Sequence, residues 1–241
     1  MQRKTNVVLV HGAWADGSSW SRVIPLLQKK GFNVVAAQLP LTSLEDDIAV
    51  TKRLLSAVNG PVVLVGHSYG GVVISGAATG AGNVNALVYI AAFGLDEGES
   101  LEGLSKQGPP PAGSAMVRPP DSYGFLWIDR DGFAKAFAAD VDPTEAAIMA
   151  AVQNPLSINS FTAKSGPPAW KKLQAWYMVA TNDQMILPQA EEFMAKRMGA
   201  EIRKVASSHA AMVSHPKEVA DLIVLAADSV AKTTSSTGVN A

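Results

Sequence analysis

Short apolar runs recur along the chain and are separated by segments in which apolar residues return at helical spacing. Six of these runs are rich in β-branched and aliphatic residues, at Asn6–Val10, Asn33–Ala37, Val62–Val65, Ala86–Ala91, Ala175–Ala180 and Ile202–Val205. Short continuous apolar runs are typical of strands that are buried on both faces of a parallel sheet. The pattern therefore predicts six core strands.

Helices are predicted in the intervals between these strands. Their predicted ranges are Ser18 or Ser19 to Lys30, Thr42 or Ser43 to Val58, a segment after Ser68 through Ala78, Gln189–Met198, and Pro216 to about Ala231. Because strand and helix alternate, the connections are expected to be right-handed and the sheet mainly parallel, with helices on both faces. The fold class is therefore α/β.

The segment after the third strand reads Gly-His-Ser-Tyr-Gly, a match to G-x-S-x-G at residues 66–70. A strand, a glycine-flanked serine and a helix in this order are the context of a nucleophile elbow. Gly66 and Gly70 leave room for a tight turn that holds Ser68 in a strained conformation and raises its Oγ above the sheet. A surface serine in a plain strand-to-helix turn is the alternative, but the matching strand and helix favour Ser68 as a nucleophile.

A nucleophilic serine needs a histidine as its base, and the chain has four histidines. His11 follows the first strand and His67 lies within the elbow. Only His209 and His215 follow the last strand, where the chain order serine, acid, histidine places the base. We favour His209, which lies in a polar loop, over His215, which is expected to cap the final helix.

The acid that orients this histidine is sought at the carboxyl ends of the strands, where folds of this class place their chemistry. Asp183 comes directly after the strand that ends at Ala180, and Asp96 follows the preceding strand. Aspartate also favours ordinary surface turns, so a turn role stays open for either residue. We favour Asp183 as the acid and keep Asp96 as its rival.

The oxyanion hole is expected to combine two backbone N–H groups. Tyr69, at the start of the elbow helix, supplies one of them, and Ala13, in the loop after the first strand, supplies the other. Gly12 lets this loop approach the substrate closely, and Trp14 seals the hole from water. An equally compatible role for Trp14 is to pack the loop against the domain.

Residues 95–172 break the alternation of strands and helices. They contain proline clusters, a predicted helix over Thr144–Gln153 and several aromatic residues, including Phe125 and Trp127. A long insertion with its own aromatic residues is expected to have structure, and its position predicts a cap above the elbow. Residues 1–94 and 173–232 are predicted to form the core of a single domain, and residues 233–241, which are rich in Ser and Thr, a flexible tail.

Composition narrows the possible functions. The chain has 241 residues, of which 48% are hydrophobic, and a formal net charge of -1. The near-neutral charge argues against nucleic acid or an anionic membrane as partner. The absence of cysteine excludes thiol catalysis, disulfides and cysteine-based metal sites. No signal-peptide core or membrane-spanning run is found, so a cytoplasmic protein is expected, with no cofactor and no metal.

Together these residues resemble the α/β-hydrolase superfamily, in particular its branch of methylesterases, hydroxynitrile lyases and bacterial esterase-like proteins. The resemblance rests on residues 10–14, residues 66–71, Asp183 and the segment Ser208–Pro216. It implies the α/β-hydrolase fold with an inserted cap. It also implies Ser68 as nucleophile, His209 as base, Asp183 as acid, and Ala13 and Tyr69 as oxyanion donors.

Two positions help to choose among the activities of this branch. The hydroxynitrile lyases carry a threonine after the first-strand histidine and a lysine after the catalytic histidine, whereas this chain has Gly12 and Ala210. The resemblance therefore implies a serine carboxylesterase. Its substrate is expected to be a small apolar or aromatic ester, bound near Gly12, Trp14, Phe125 and Trp127, and the chain is expected to be a monomer or a homodimer.

Several alternatives stay open at this point. The first is a small-molecule receptor with the same fold, in which hydrolysis is slow or incidental. A hydroxynitrile lyase, a cofactor-free haloperoxidase and an acyltransferase are weaker alternatives. The aromatic residues of the cap also fit a role as the core of the cap itself.

Overall fold

The computed structural model describes residues 5–237. Its strands are β1 (Asn6–Val10), β2 (Asn33–Ala36), β3 (Val62–His67), β4 (Val84–Ile90), β5 (Phe125–Leu126), β6 (Leu156–Ser157), β7 (Ala175–Ala180) and β8 (Glu201–Val205). Its α-helices are α1 (Ile24–Lys29), α2 (Leu44–Ala57), α3 (Gly70–Ala77), α4 (Leu101–Ser105), α5 (Arg130–Phe137), α6 (Pro143–Val152), α7 (Ile158–Thr162), α8 (Pro188–Arg197), α9 (Ala211–Ser214) and α10 (Pro216–Thr237).

Six strands form one sheet in the order β2-β1-β3-β4-β7-β8, and every neighbouring pair in it is parallel. The chain moves from β1 outward to β2 and then returns past β1 to β3. The strand order thus reverses between β1 and β3, and such a reversal opens a crevice at the carboxyl edge of the sheet. The loops after β1 and β3 therefore lie next to each other.

The four central strands, β1, β3, β4 and β7, are buried on both faces, which explains their continuous apolar runs, whereas the edge strands β2 and β8 are largely accessible to solvent. Along β1 and β3, alternate side chains enter two separate hydrophobic cores. Val8 and Leu64 belong to the core under α2 and α3. Val7 and Val63 belong to the core under α1 and α10. The predicted α/β architecture with helices on both faces is therefore confirmed.

Two helices differ from their predicted ranges. The predicted helix from Ser18 or Ser19 to Lys30 is instead a 3-10 helix over Gly17–Trp20 followed by α1. Pro25 explains the break, because its ring would clash with the carbonyl group four residues earlier in a continuous helix. The last helix, α10, runs to Thr237 rather than ending near Ala231. The predicted tail at 233–241 is thus helical as far as residue 237, and residues 238–241 lie outside the described residues.

The segment between β4 and β7 contains the predicted cap at 95–172. It holds α4, α5, α6 and α7, and a small antiparallel sheet made of β5 and β6. The predicted helix at Thr144–Gln153 corresponds to α6, whose N-terminus is capped by Asp142. Within residues 5–237, no helix combines the length and the apolar character needed to cross a membrane.

Candidate active site

The predicted nucleophile, Ser68, lies in the turn between β3 and α3. Its φ angle is 53°, which is the left-handed region that residues with side chains rarely adopt. The turn is tight enough that a Cβ atom on Gly66 would lie 2.6 Å from the carbonyl oxygen of Gly70. Strained conformations of this kind are typical of functional sites, and the geometry agrees with the predicted elbow.

The loop after β1 packs directly against this turn. A Cβ atom on Gly12 would lie 2.6 Å from the Cβ of Ser68, so only glycine permits the contact. His11 helps to hold the loop, because its Nε2 accepts the N–H of Leu39 at 2.9 Å and its Nδ1 then donates to the carbonyl of Gly12 at 2.8 Å. Burial lowers the pKa of His11, which favours the neutral ring. These contacts give His11 a structural role.

The two predicted oxyanion donors flank the contact between these loops. Ala13 and Tyr69 are both buried, and within residues 5–237 neither backbone N–H has a hydrogen-bond partner. Trp14, with a φ of 58°, attaches the loop to the cap. Its indole Nε1 donates to the carbonyl of Leu126 at 2.9 Å and its backbone N–H donates to the carbonyl of Asn154 at 2.9 Å.

The predicted base and acid are in contact at the carboxyl ends of β8 and β7. His209 Nδ1 and Asp183 Oδ2 are 2.6 Å apart, and both side chains are fully buried. Asp183 Oδ1 accepts two further hydrogen bonds, from the N–H groups of Met185 at 2.6 Å and Ile186 at 3.0 Å. The carboxylate is thus fixed by its own loop, and it fixes the Nδ1–H tautomer of the imidazole.

The second ring nitrogen of His209 is the atom that would accept a proton from a serine. Nε2 is buried and has no hydrogen-bond partner among the described residues, so Ser68 Oγ does not donate to it in this conformation. The two loops are nevertheless adjacent, because His67, next to Ser68, has its Nε2 2.9 Å from the carbonyl oxygen of His209. The rings of His67 and His209 are 4.7 Å apart between centroids.

The rival candidates from the sequence lie elsewhere. Asp96 forms an ion pair with Lys171 at the surface. His215 Nδ1 lies 2.9 Å from Ser214 Oγ and 3.5 Å from a carboxylate oxygen of Asp140. Neither rival contacts the Asp183–His209 pair through a hydrogen bond, an ion pair or a ring contact that the structure describes.

The residues predicted to bind substrate have mixed placements. Gly12 and Trp14 are in the loop beside Ser68. Trp127 is directed toward its own segment, with Nε1 donating to Asp121 at 2.9 Å, and Phe125 lies in β5. For Phe125 and Trp127, the structure describes no hydrogen bond or ring contact with the triad candidates, so their role in binding stays a prediction.

The sequence did not identify the cap residue that contacts the candidate base. Phe137, at the end of α5, packs edge-on against His209 with ring centroids 4.8 Å apart, and against His67 at 5.9 Å. Asp140 then follows and accepts hydrogen bonds from the backbone N–H and the hydroxyl of Ser208, the residue before His209. The cap therefore contacts the candidate base on both its ring and its loop.

Glu191 was also missed. It lies on α8 with its side chain fully buried, and its Oε2 accepts the N–H of Ala180 at 3.1 Å. A helical pattern was present, because Glu191 precedes the buried Met194, Ala195 and Met198 at intervals of three, four and seven residues. Within residues 5–237, no three His, Cys, Asp or Glu side chains are grouped so that they could hold a metal ion.

A profile of the alpha/beta hydrolase family matches residues 7–222. The chain belongs to this family. A carbendazim-hydrolysing esterase of Nocardioides sp. (strain SG-4G) is 37% identical over 124 residues, which span 46% of this chain and about half, 51%, of that protein. A pyrethroid hydrolase of Sphingobium wenxiniae is 24% identical over 260 residues, covering 95% of this chain and 89% of its own.

Solved structures show the same fold. A pyrethroid hydrolase from Sphingobium faniae JZ-2 superposes with a TM-score of 0.82 at 24% identity, covering 95% of this chain and 100% of that one. Polyneuridine aldehyde esterase superposes with a TM-score of 0.80 at 17% identity, covering 92% of this chain and 98% of that one. The predicted α/β-hydrolase fold is therefore confirmed. The relatives also support the prediction of a carboxylic ester hydrolase.

Proposed function

We propose that the protein is a cofactor-independent serine esterase that hydrolyses small apolar or aromatic carboxylic esters. The observation that carries the proposal is the buried 2.6 Å hydrogen bond between His209 and Asp183, formed in a loop that lies against the strained Ser68 turn. A hydroxyl, an imidazole and a carboxylate in this chain order are the components of an acyl-transfer triad.

In the proposed mechanism, Ser68 Oγ attacks the ester carbonyl carbon while His209 Nε2 accepts the hydroxyl proton. The oxyanion that forms is stabilised by the unpartnered N–H groups of Ala13 and Tyr69. The intermediate then collapses, His209 protonates the departing alcohol, and the acyl group remains on Ser68. Water, deprotonated by the same histidine, attacks this acyl-enzyme and releases the acid and the free serine.

The proposed substrate class rests on the surroundings of the triad candidates. Phe137 covers one edge of the His209 ring, and Trp14 links the oxyanion loop to the cap. An acyl group that packs against aromatic side chains gains from burial of apolar surface. The relatives support the same class, since they include a carbendazim-hydrolysing esterase and pyrethroid hydrolases.

The first test compares the wild type with Ser68→Ala on p-nitrophenyl esters from acetate to octanoate. The wild type is expected to hydrolyse the short esters, and the variant to lose about 10³-fold or more in kcat, as loss of a triad nucleophile does. The chain length that gives the highest kcat/KM then measures the size of the acyl pocket.

Ser214→Ala is the matched control, because it removes a hydroxyl that contacts His215 rather than the triad candidates. It is expected to keep the wild-type rate. Equal, slow hydrolysis by the wild type and Ser68→Ala would contradict the proposal. A ligand that raises the Tm without being consumed would then favour a small-molecule receptor.

A further inference from the structure

Two carboxyl groups are buried together behind the candidate base. Glu191, on α8, and Asp183, in the loop after β7, are 0% and 2% exposed. Both are held at Ala180, whose N–H donates to Glu191 Oε2 at 3.1 Å and whose carbonyl accepts the N–H of Asp183 at 3.2 Å, and the two carboxyl groups interact electrostatically. Two carboxylates in contact and out of water repel each other strongly, so one of them must hold a proton. The question is which one does.

The distribution of hydrogen-bond donors answers this question. Asp183 accepts from the N–H groups of Met185 and Ile186 and from the His209 ring. Glu191 accepts only from the N–H of Ala180, through Oε2, and its Oε1 has no hydrogen-bond partner in the part of the chain that the structure describes. Hydrogen bonds that donate to a carboxylate stabilise its charge. The charge therefore resides on Asp183.

We propose that Glu191 is a neutral carboxylic acid whose Oε1–H donates a hydrogen bond to the carboxylate of Asp183, which makes Glu191 a positioning residue for the acid of the triad. A proton on Oε1 also gives this buried oxygen its missing partner. The proposal assigns a role to Glu191 in the same site as the proposed function and rests on it.

The surroundings of Glu191 agree with a neutral group. Burial and the charge of Asp183 raise the pKa of Glu191 well above its usual range. Glu192, on the same helix, and Tyr177, on β7, also interact electrostatically with Glu191. The charges of Asp183 and Glu192 oppose a second negative charge at Glu191, and Tyr177, a phenol kept neutral by burial, supplies no positive charge that would favour one.

The hydrogen bond has a consequence for the base. A donor to Asp183 withdraws charge from the oxygen atoms that face His209, so the carboxylate attracts the imidazolium less strongly. Loss of this donor should therefore stabilise the imidazolium form of His209. If both carboxyl groups were ionised, removal of the Glu191 charge would instead destabilise the imidazolium. If the proton were on Asp183, even Glu191→Gln would stabilise the imidazolium, because Asp183 would then ionise beside it. Two substitutions separate these cases.

The experiment follows the imidazole ¹⁵N resonances of His209 against pH in the full-length protein without substrate. His209→Gln identifies its signals among the four histidines. Glu191→Met removes the donor and is expected to raise the titration midpoint by about one pH unit. Glu191→Gln keeps a neutral donor of the same shape and is expected to leave the midpoint within about 0.3 units.

Glu192→Gln is the control for charge. It removes one carboxylate from the same helix, but Glu192 is at the surface and pairs with Lys204 at 2.6 Å. The titration midpoint of His209 in Glu192→Gln is expected to match that of the wild type. A fall of the midpoint in Glu191→Gln would show that both carboxyl groups are ionised, and a rise would show that the proton is on Asp183. An unchanged midpoint in both Glu191 variants would show that Glu191 does not act on His209. Any of these results overturns the proposal.

A second measurement serves if Glu191→Met does not fold. The infrared carbonyl band of a protonated carboxyl group is expected at pH 8 in the wild type and in Glu192→Gln, and is expected to be absent in Glu191→Gln. At this pH Asp47, whose pKa is raised by burial to about 6, is ionised and does not contribute. Absence of the band in the wild type would overturn the proposal. Neither measurement needs turnover. The proposal about Glu191 can therefore be overturned while the proposed esterase activity stands, and the reverse is also possible.

Discussion

The loops after β1 and β3 meet through backbone atoms, whereas the loops after β7 and β8 meet through buried ionisable side chains. We call these the nucleophile side and the acid–base side. On the nucleophile side, Gly12, Gly66 and Gly70 allow contacts that no side chain would permit. On the acid–base side, Asp183 is hydrogen-bonded to His209 and interacts electrostatically with Glu191, and all three side chains have almost no solvent exposure. The first side depends on shape and the second on charge.

This difference determines which substitutions and which pH changes should destabilise each side. Steric contacts do not change with pH, but a buried ionisable group changes the stability of the fold whenever its pKa differs from that of the unfolded chain. The nucleophile side also has such groups: burial lowers the pKa of His11 and of His67, and behind the elbow Tyr69 donates its hydroxyl to Asp47 on α2 at 2.7 Å. The contrast between the two sides can therefore be tested by substitution and by pH.

The largest effect is expected on the acid–base side. Asp183→Asn leaves the shape of the loop nearly unchanged but removes the charge that fixes the tautomer of His209 and stabilises its protonated form. If the triad is as proposed, kcat for ester hydrolysis should fall by about 10⁴-fold. Steady-state kinetics on the preferred p-nitrophenyl ester measures this.

The control is Asp96→Asn, which makes the same replacement of a carboxylate by an amide at the rival acid. Asp96 is at the surface and pairs with Lys171, so the kcat of Asp96→Asn should stay within about twofold of the wild-type value. A loss in Asp96→Asn equal to that in Asp183→Asn would contradict the assignment of the acid.

A smaller, pH-dependent effect is expected behind the elbow. Burial raises the pKa of Asp47 from 3.8 to about 6. A raised pKa means that its contribution to stability is full below about pH 4 and is lost as the pH rises through 6. The difference, about 2 pH units at about 1.4 kcal/mol each, amounts to about 3 kcal/mol. Asp47→Asn should therefore gain stability relative to the wild type by about this amount between pH 3 and 7, with most of the gain between pH 4 and 6.

Urea unfolding at a series of pH values measures this gain. Asp46→Asn is the control, because Asp46 is an exposed neighbour whose pKa is lowered by hydrogen bonds from Ser43 and Thr42. A lowered pKa contributes stability that is complete above about pH 4 and is lost as the pH falls below it. The difference between Asp46→Asn and the wild type should therefore stay nearly constant between pH 4 and 6, and below pH 4 it should change with the opposite sign. Equal pH profiles for the wild type and Asp47→Asn would contradict the raised pKa.

The two sides also differ in how far they could be predicted from the sequence. The turn at Ser68 was predictable because its glycines, its strand and its helix are contiguous. Asp183 and His209 were predictable only through chain order, since 26 positions separate them. Glu191 and Glu192 are adjacent and chemically identical, and the helical spacing of apolar residues on α8 was the one sequence signal that Glu191 is buried while Glu192 stays partly exposed. The contact between Asp140 and Ser208 spans 68 positions and depends on how the cap folds back.

The smallest of these effects is expected from Gly70→Ala on the nucleophile side. A Cβ atom there would lie 2.7 Å from the carbonyl oxygens of both Val10 and His11, which are backbone atoms and cannot rotate away. The elbow and the oxyanion loop must then separate, at a cost of about 1–3 kcal/mol in the free energy of unfolding. Because the clash is steric, this loss should be equal at pH 5 and pH 8.

Gly82→Ala is the matched control, since a Cβ atom at Gly82 meets no atom within 4 Å. Its free energy of unfolding should stay at the wild-type value or rise slightly, because alanine restricts the unfolded chain. A loss in Gly70→Ala that varied with pH would mean that the substitution had also disturbed a titrating group, and His11, whose carbonyl oxygen is one of the two clashing atoms, is the nearest candidate. The nucleophile side would then depend on charge as well as on shape, and the contrast with the acid–base side would be wrong.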